Sequence, residues 1–136
     1  MAKRGIADHP KTLKLAQILG ICPPYAVGLL EVFWHWVAKY KPNGDVSDTE
    51  ATILGQSLRY TGDTQAFWDA MLEVGFLDQN AEGKTIVHHW SEHADKAVKI
   101  WLKRRKLRFA DGSRPSTELG AKRGPYKKNN NKDLNK

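Results

Sequence analysis

Apolar residues recur at helical spacing along most of the chain, punctuated by glycine, proline and asparagine. After a leader expected to be flexible (residues 1–9), His9-Pro10 opens a short helix over 11–19. Leu13, Ala16 and Leu19, with Leu15 beside them, form its apolar face, and Gly20 stops it. Cys22-Pro23-Pro24 breaks the chain and suits a helix start, because proline costs little in a first turn. The next helix, 24–40, is apolar on two sides. Val27, Leu30, Trp34 and Val37 make one stripe and Leu29, Phe33, Trp36 and Tyr40 a second, leaving Glu31, His35 and Lys39 as the polar strip. A helix packed on two faces is expected at the centre of its domain. Lys41-Pro42-Asn43-Gly44 ends it with turn chemistry.

Ser47-Asp48-Thr49-Glu50 has the form of a capping box, so a third helix is expected to run from there to about Leu58. Thr61-Gly62-Asp63 interrupts it, and a fourth helix follows over 64–74, with Phe67, Trp68, Met71, Leu72 and Val74 as apolar positions and Gly75 as a left-handed cap. Two short apolar runs, Phe76-Leu77-Asp78 and Thr85-Ile86-Val87-His88-His89-Trp90, flank the turn-rich segment 79–83 and predict a β-hairpin. The fold class this implies is mainly α: a winged helix-turn-helix over 10–90, with the 79–84 turn as a short wing. Ser91 is placed to cap one continuous amphipathic helix over 91–109. Ala94, Ala97, Val98, Trp101 and Leu102 lie on one side, and Lys96, Lys99, Lys103 and Lys106 line the other. From residue 110 the apolar pattern is lost, and 110–136 reads as a basic, disordered tail.

Charge sharpens this picture. The chain of 136 residues carries a formal net charge of +7, but residues 1–90 are net −2 and residues 91–136 net +9. A near-neutral body with a cationic last third is the footprint of a polyanion-binding protein; the plainer alternative is a tail kept for solubility. A hydrophobic share of 40% supports one domain with a real core. One cysteine, Cys22, cannot close an intramolecular disulfide, and no apolar h-region follows Met1-Ala2-Lys3-Arg4-Gly5. The most apolar stretch, 29–38, contains Glu31 and His35 and is too short to span a bilayer. A cytoplasmic protein without a membrane partner is expected.

Three runs carry a family resemblance. They are Gly28-Leu29-Leu30-Glu31-Val32-Phe33-Trp34-His35-Trp36, then residues 67–78 (Phe67-Trp68-Asp69-Ala70-Met71-Leu72 through Gly75-Phe76-Leu77-Asp78), then Val87-His88-His89-Trp90. Together they resemble the N-terminal domain of phage replisome organisers, replication-initiation proteins related to DnaD-type primosomal proteins. The resemblance covers about residues 8–95. It implies a winged-helix domain that binds origin DNA or self-associates, a C-terminal region that recruits the replicative helicase or its loader, and a host-cytoplasm location. Larger members carry a second folded domain, whereas a basic helix and tail follow here. The matching positions are mainly core positions and speak for fold before activity.

Candidate contacts follow from charge. Lys96, Lys99, Lys103, Arg104, Arg105, Lys106 and Arg108 are expected to neutralise successive phosphates of DNA, most simply duplex DNA, with salt-sensitive and largely sequence-blind affinity. Lys84 on the wing and Lys122, Arg123, Lys127 and Lys128 in the tail join them. The segment Ala121-Lys122-Arg123-Gly124-Pro125 weakly resembles an AT-hook, but its second arginine is missing. Trp101 lies on the apolar stripe, which favours a core anchor over a base-stacking platform. The fourth helix occupies the recognition-helix position, yet its outward residues are Gln65, Asp69 and Glu73. Carboxylates repel phosphate, so this face suits a protein partner or solvent better than the major groove.

His88, His89 and His93, with Glu92 and Asp95 nearby, lack the fixed third ligand a metal site needs, so wing-base and capping roles are expected and no metal or cofactor is. No phosphate loop, nucleophile elbow or His-Glu-x-x-His motif is present, which argues against an enzyme. The expected function is DNA binding in replication initiation. The alternatives are a protein-interaction module (an adaptor or inhibitor toward a helicase, loader or host factor) and a transcriptional repressor.

Overall fold

A computed structural model describes Ile6 and residues 9–115. Six helices and two strands follow in order: α1 (Pro10–Leu19), α2 (Pro23–Tyr40), α3 (Ala51–Ser57), α4 (Thr64–Val74), β1 (Leu77–Gln79), β2 (Thr85–Val87), α5 (Trp90–His93) and α6 (Lys96–Arg104). The chain is therefore mainly helical with a small antiparallel hairpin. No single helix among the described residues is long and apolar enough to cross a membrane.

Helix α1 starts where His9 Nδ1 accepts the Lys11 N–H and ends at Gly20, whose φ of 67° lets it close the last turn against Ala16 and Gln17. Its inner face differs from the expected one. Thr12, Leu15 and Ala16 are buried, while Leu13 is exposed, because α1 turns its Leu15 side toward α2 and α4. Lys11 reaches across to α4, donating to the Gly75 carbonyl at 2.8 Å and covering the Phe76 ring. A cation at a helix C-terminus complements its unpaired carbonyls. Burial lowers the Lys11 ammonium below the ordinary lysine value, opposed by Asp78.

Helix α2 supplies more buried core residues than any other element. Leu30, Phe33, Trp34 and Val37 are essentially without solvent contact, and Ala26 and Leu29 are buried beside them. The second stripe is only half covered: Trp36 is partly buried and Tyr40 is 56% exposed. Trp34 meets the edge of Phe76 and stacks on His93 with ring centroids 5.0 Å apart. The turn after α2 is tight because Gly44, at φ 90°, lies against Trp90; a Cβ there would sit 2.7 Å from Trp90 Cδ1. The Trp90 indole donates to the Pro42 carbonyl at 2.8 Å.

The expected capping box is not formed. Ser47 is drawn into a turn in which Asp45 accepts from both its N–H and its hydroxyl, while Val46 is buried and donates its N–H to Thr85. Chain pairing with β2 thus holds residues 45–47 extended, and α3 begins only at Ala51, with no side-chain cap. Helix α4 matches its expected bounds. Asp63 accepts from Gln65 and Ala66 at its start, and Gly75, at φ 98°, closes its end. Phe67, Ala70 and Met71 face inward against α1, α3 and β1.

Strands β1 and β2 pair antiparallel with Leu77 opposite Val87 and Gln79 opposite Thr85. Asn80 organises their turn by accepting from Glu82 and Lys84. A further bridge joins Asp45 to Ile86 on the other side of β2.

One continuous helix over 91–109 is also not what forms. Ala94 is extended, at φ −61° and ψ 136°, and divides α5 from α6. Asp95 causes the restart: its carboxylate accepts the Val98 N–H and caps α6 at the position Ser91 was expected to fill. The helix ends at Arg104, and Lys106 takes a positive φ of 56°. The chain then turns back so that Phe109 is buried in the same cluster as Val98 and Leu102. Ala110 donates to Asn43 at 2.8 Å, and Asp111 accepts from Ser91 and Ser113, so residues 110–113, expected to begin a free tail, are tied to the body.

Candidate nucleic-acid interface

The break at Ala94 decides how the cations are displayed. Only Lys96, Lys99, Lys103 and Arg104 of the expected set lie on α6; Arg105, Lys106 and Arg108 follow in the turn that returns toward Phe109. Lys99 is half buried and the others are exposed. Among the described residues no ion pair joins any of these seven side chains to a carboxylate. Their charge is therefore turned to solvent without internal compensation, which favours a polyanion over a structural role.

Because Lys106 is left-handed, the strip Lys96, Lys99, Lys103, Lys106 does not continue as one helical face. Instead Lys103, Lys106 and Arg108 gather with Arg114 around a depression of about 370 Å³, completed by Leu107 and Pro115. All four of its charged lining residues are cations. Arg114 belongs to this group and sequence reasoning did not include it. Its placement depends on the return turn, where Phe109 donates to the Ser113 carbonyl and Arg108 to that of Gly112. The signal available was Phe109, an aromatic side chain inside a basic run.

Trp101 is 40% exposed, which overturns its expected role as a core anchor. The residues that do face inward from α6 are Val98 and Leu102, and Ala97 is exposed too. Arg105 lies over the Trp101 ring at 4.0 Å from its centroid and donates to the Trp101 carbonyl. Lys84 stands apart at the hairpin turn, 3.8 Å from Asp45. Lys122, Arg123, Lys127 and Lys128 lie outside the described residues.

Gln65, Asp69 and Glu73 are all exposed on the outer face of α4, and Gln65 donates to Asp69 at 3.0 Å. At the base of the hairpin His88 and Asp78 are joined at 2.6 Å, and His89 stacks on His88. Among the described residues no group of three or more His, Cys, Asp and Glu side chains is placed to hold a metal ion. No family model, curated protein or solved structure matches the chain, so charge and geometry carry the functional reading.

Proposed function

We propose that this chain is a DNA-binding protein of winged-helix type that grips the phosphate backbone through its C-terminal cations, acting in phage-type replication initiation as a replisome organiser does. The observation that carries the reading is the depression lined by Lys103, Lys106, Arg108 and Arg114, where four cations converge with no carboxylate among the lining residues. Phosphates gain most where charges are gathered and uncompensated, and the resulting affinity is largely blind to sequence.

Support for the winged-helix reading comes from chain order. Helix α2, the bridge at Asp45, helices α3 and α4, and strands β1 and β2 follow one another as helix, short strand, helix, helix and wing hairpin do in that fold. The replication role rests on the sequence resemblance to replisome organisers. Helix α4 would be the recognition helix, but with Asp69 and Glu73 outward it is poorly suited to the major groove.

The test is a duplex titration comparing wild type with Lys103→Gln, Lys106→Gln, Arg108→Gln and Arg114→Gln combined. All four side chains are exposed, at the end of α6 or beyond it, and none is in the core. Loss of binding by at least tenfold with an unchanged melting curve is expected; equal binding would overturn the reading.

The exposed acidic face of α4 favours a second reading, a protein-docking module. Asp69→Arg with Glu73→Arg should then abolish assembly, self-association included, while DNA affinity holds or rises. Gel filtration with light scattering separates these outcomes.

A further inference from the structure

Three surface depressions adjoin one another through shared lining residues. The cationic one shares Leu107 with a second, of about 390 Å³, beside the turn after α2. That one shares Tyr40, Pro42 and Trp101 with a third, of about 450 Å³, between α2 and the start of α6. The three adjoining depressions together make a trough whose segments share these residues. Its lining includes Tyr40, Trp101 and Leu107, exposed at 56%, 40% and 45%. Large apolar side chains left open in a row call for an occupant.

Charge indicates which occupant. At one end of the trough are the four cations already described. Arg105 lies over Trp101, and Lys39 lies over the Tyr40 ring at 5.3 Å. Three carboxylates also line the trough, and each is engaged within the fold. Asp95 caps α6, Asp48 pairs with Lys41 at 2.8 Å, and Asp45 holds Ser47. Alternating rings and cations suit a ligand that offers flat aromatic faces along an anionic backbone. Duplex DNA hides those faces in its stack; an unpaired strand presents them.

We infer that this trough binds single-stranded DNA, with bases stacked on Tyr40 and Trp101 and the backbone held by Lys103, Lys106, Arg108 and Arg114. The inference rests on the proposed DNA-binding role and adds a strand preference to it. Stacking on a protein ring is tolerant of base identity, because every base has a π-face. The trough therefore selects for strandedness, and the neighbouring cations serve both duplex and single strand.

The experiment is a fluorescence-anisotropy titration of the full chain with a labelled thymidine oligonucleotide of about 16 nucleotides. A blunt duplex and a uridine oligonucleotide of the same length run beside it. Tyr40→Ala with Trp101→Ala should weaken the thymidine strand by at least about tenfold and the duplex by less than twofold. Trp101→Phe, which keeps a ring, should retain most of the affinity. The melting temperatures of the variants are measured in parallel, and a folded Trp101→Phe keeps the comparison valid if the double variant is unstable. Equal loss on strand and duplex, or no loss on either, overturns the inference while leaving the proposed DNA-binding role standing. Tighter binding of the uridine strand overturns the assignment to DNA. A wild-type chain that binds no nucleic acid overturns the proposed function itself.

Discussion

Ala110 donates its backbone N–H to the carbonyl of Asn43 at 2.8 Å, joining the end of the cationic segment to the turn that follows α2. The same turn accepts the Trp90 indole at Pro42 and packs Gly44 against that ring. The basic residues are thus presented from a fixed frame. A preorganised cluster loses less side-chain and backbone freedom on binding than a floppy tail does.

Phe109 is the apolar part of that frame, 4% exposed and buried with Val98 and Leu102. Phe109→Ala should cost about 3 kcal/mol in urea unfolding, through lost burial and an unfilled cavity. It should also weaken duplex binding although it removes no charge. Stability equal to wild type would show that the return turn is not anchored by this ring.

Gly44→Ala places a methyl group 2.7 Å from Trp90 Cδ1 at a φ of 90°. Clash and a left-handed backbone add, so a loss of about 2 kcal/mol or more is expected. Gly83→Ala, with φ 80° but nothing near its Cβ, isolates the backbone contribution and should cost about half as much. Similar melting temperatures for the two variants would contradict the packing of Trp90 on this turn.

Thr12 is fully buried and its hydroxyl has no partner among the described residues. An unpaired buried hydroxyl is costly, and valine has nearly the same shape. Thr12→Val is therefore expected to raise stability by about 1 kcal/mol in a denaturant titration. A clear loss would reveal a partner for the hydroxyl.

Burial pushes the Asp111 carboxyl up, but the Ser113 hydroxyl and N–H, together with the Ser91 hydroxyl, outweigh it and hold the group below its ordinary value of 3.8. Its folded value lies below its unfolded one, so its contribution to stability is present above about pH 4 and is lost as pH falls through the folded value. Asp111→Asn should be less stable than wild type at pH 7, and the gap should close in strong acid. A gap constant from pH 7 to pH 2 would exclude this carboxylate as its source.

Much of the helical plan is legible in the sequence. Helix α4 has its expected bounds because a capping aspartate and a glycine that must be left-handed agree there. The hairpin forms around the expected turn with Asn80 and Gly83, but β2 stops at Val87, short of Trp90, and His89 turns left-handed. Local reading failed where a distant partner won. Ser47 looks like a helix cap, but the pairing of Val46 with Thr85 holds its segment extended. Ala94 to Leu102 looks like one helix, but Asp95 is a better cap than Ser91, and the restart rotates Trp101 outward. The cation run itself was visible as composition. Its convergence with Arg114 depends on the return turn through Phe109, which no periodicity encodes.

The most direct measurement is the dependence of duplex affinity on salt, taken as the slope of log K against log salt concentration. Each phosphate neutralised contributes about −0.9 to that slope. The account predicts a steep slope for the wild-type chain, made shallower by roughly 0.9 for each phosphate contact removed when Lys103, Lys106, Arg108 and Arg114 become glutamine. A slope unchanged by those four substitutions would contradict it.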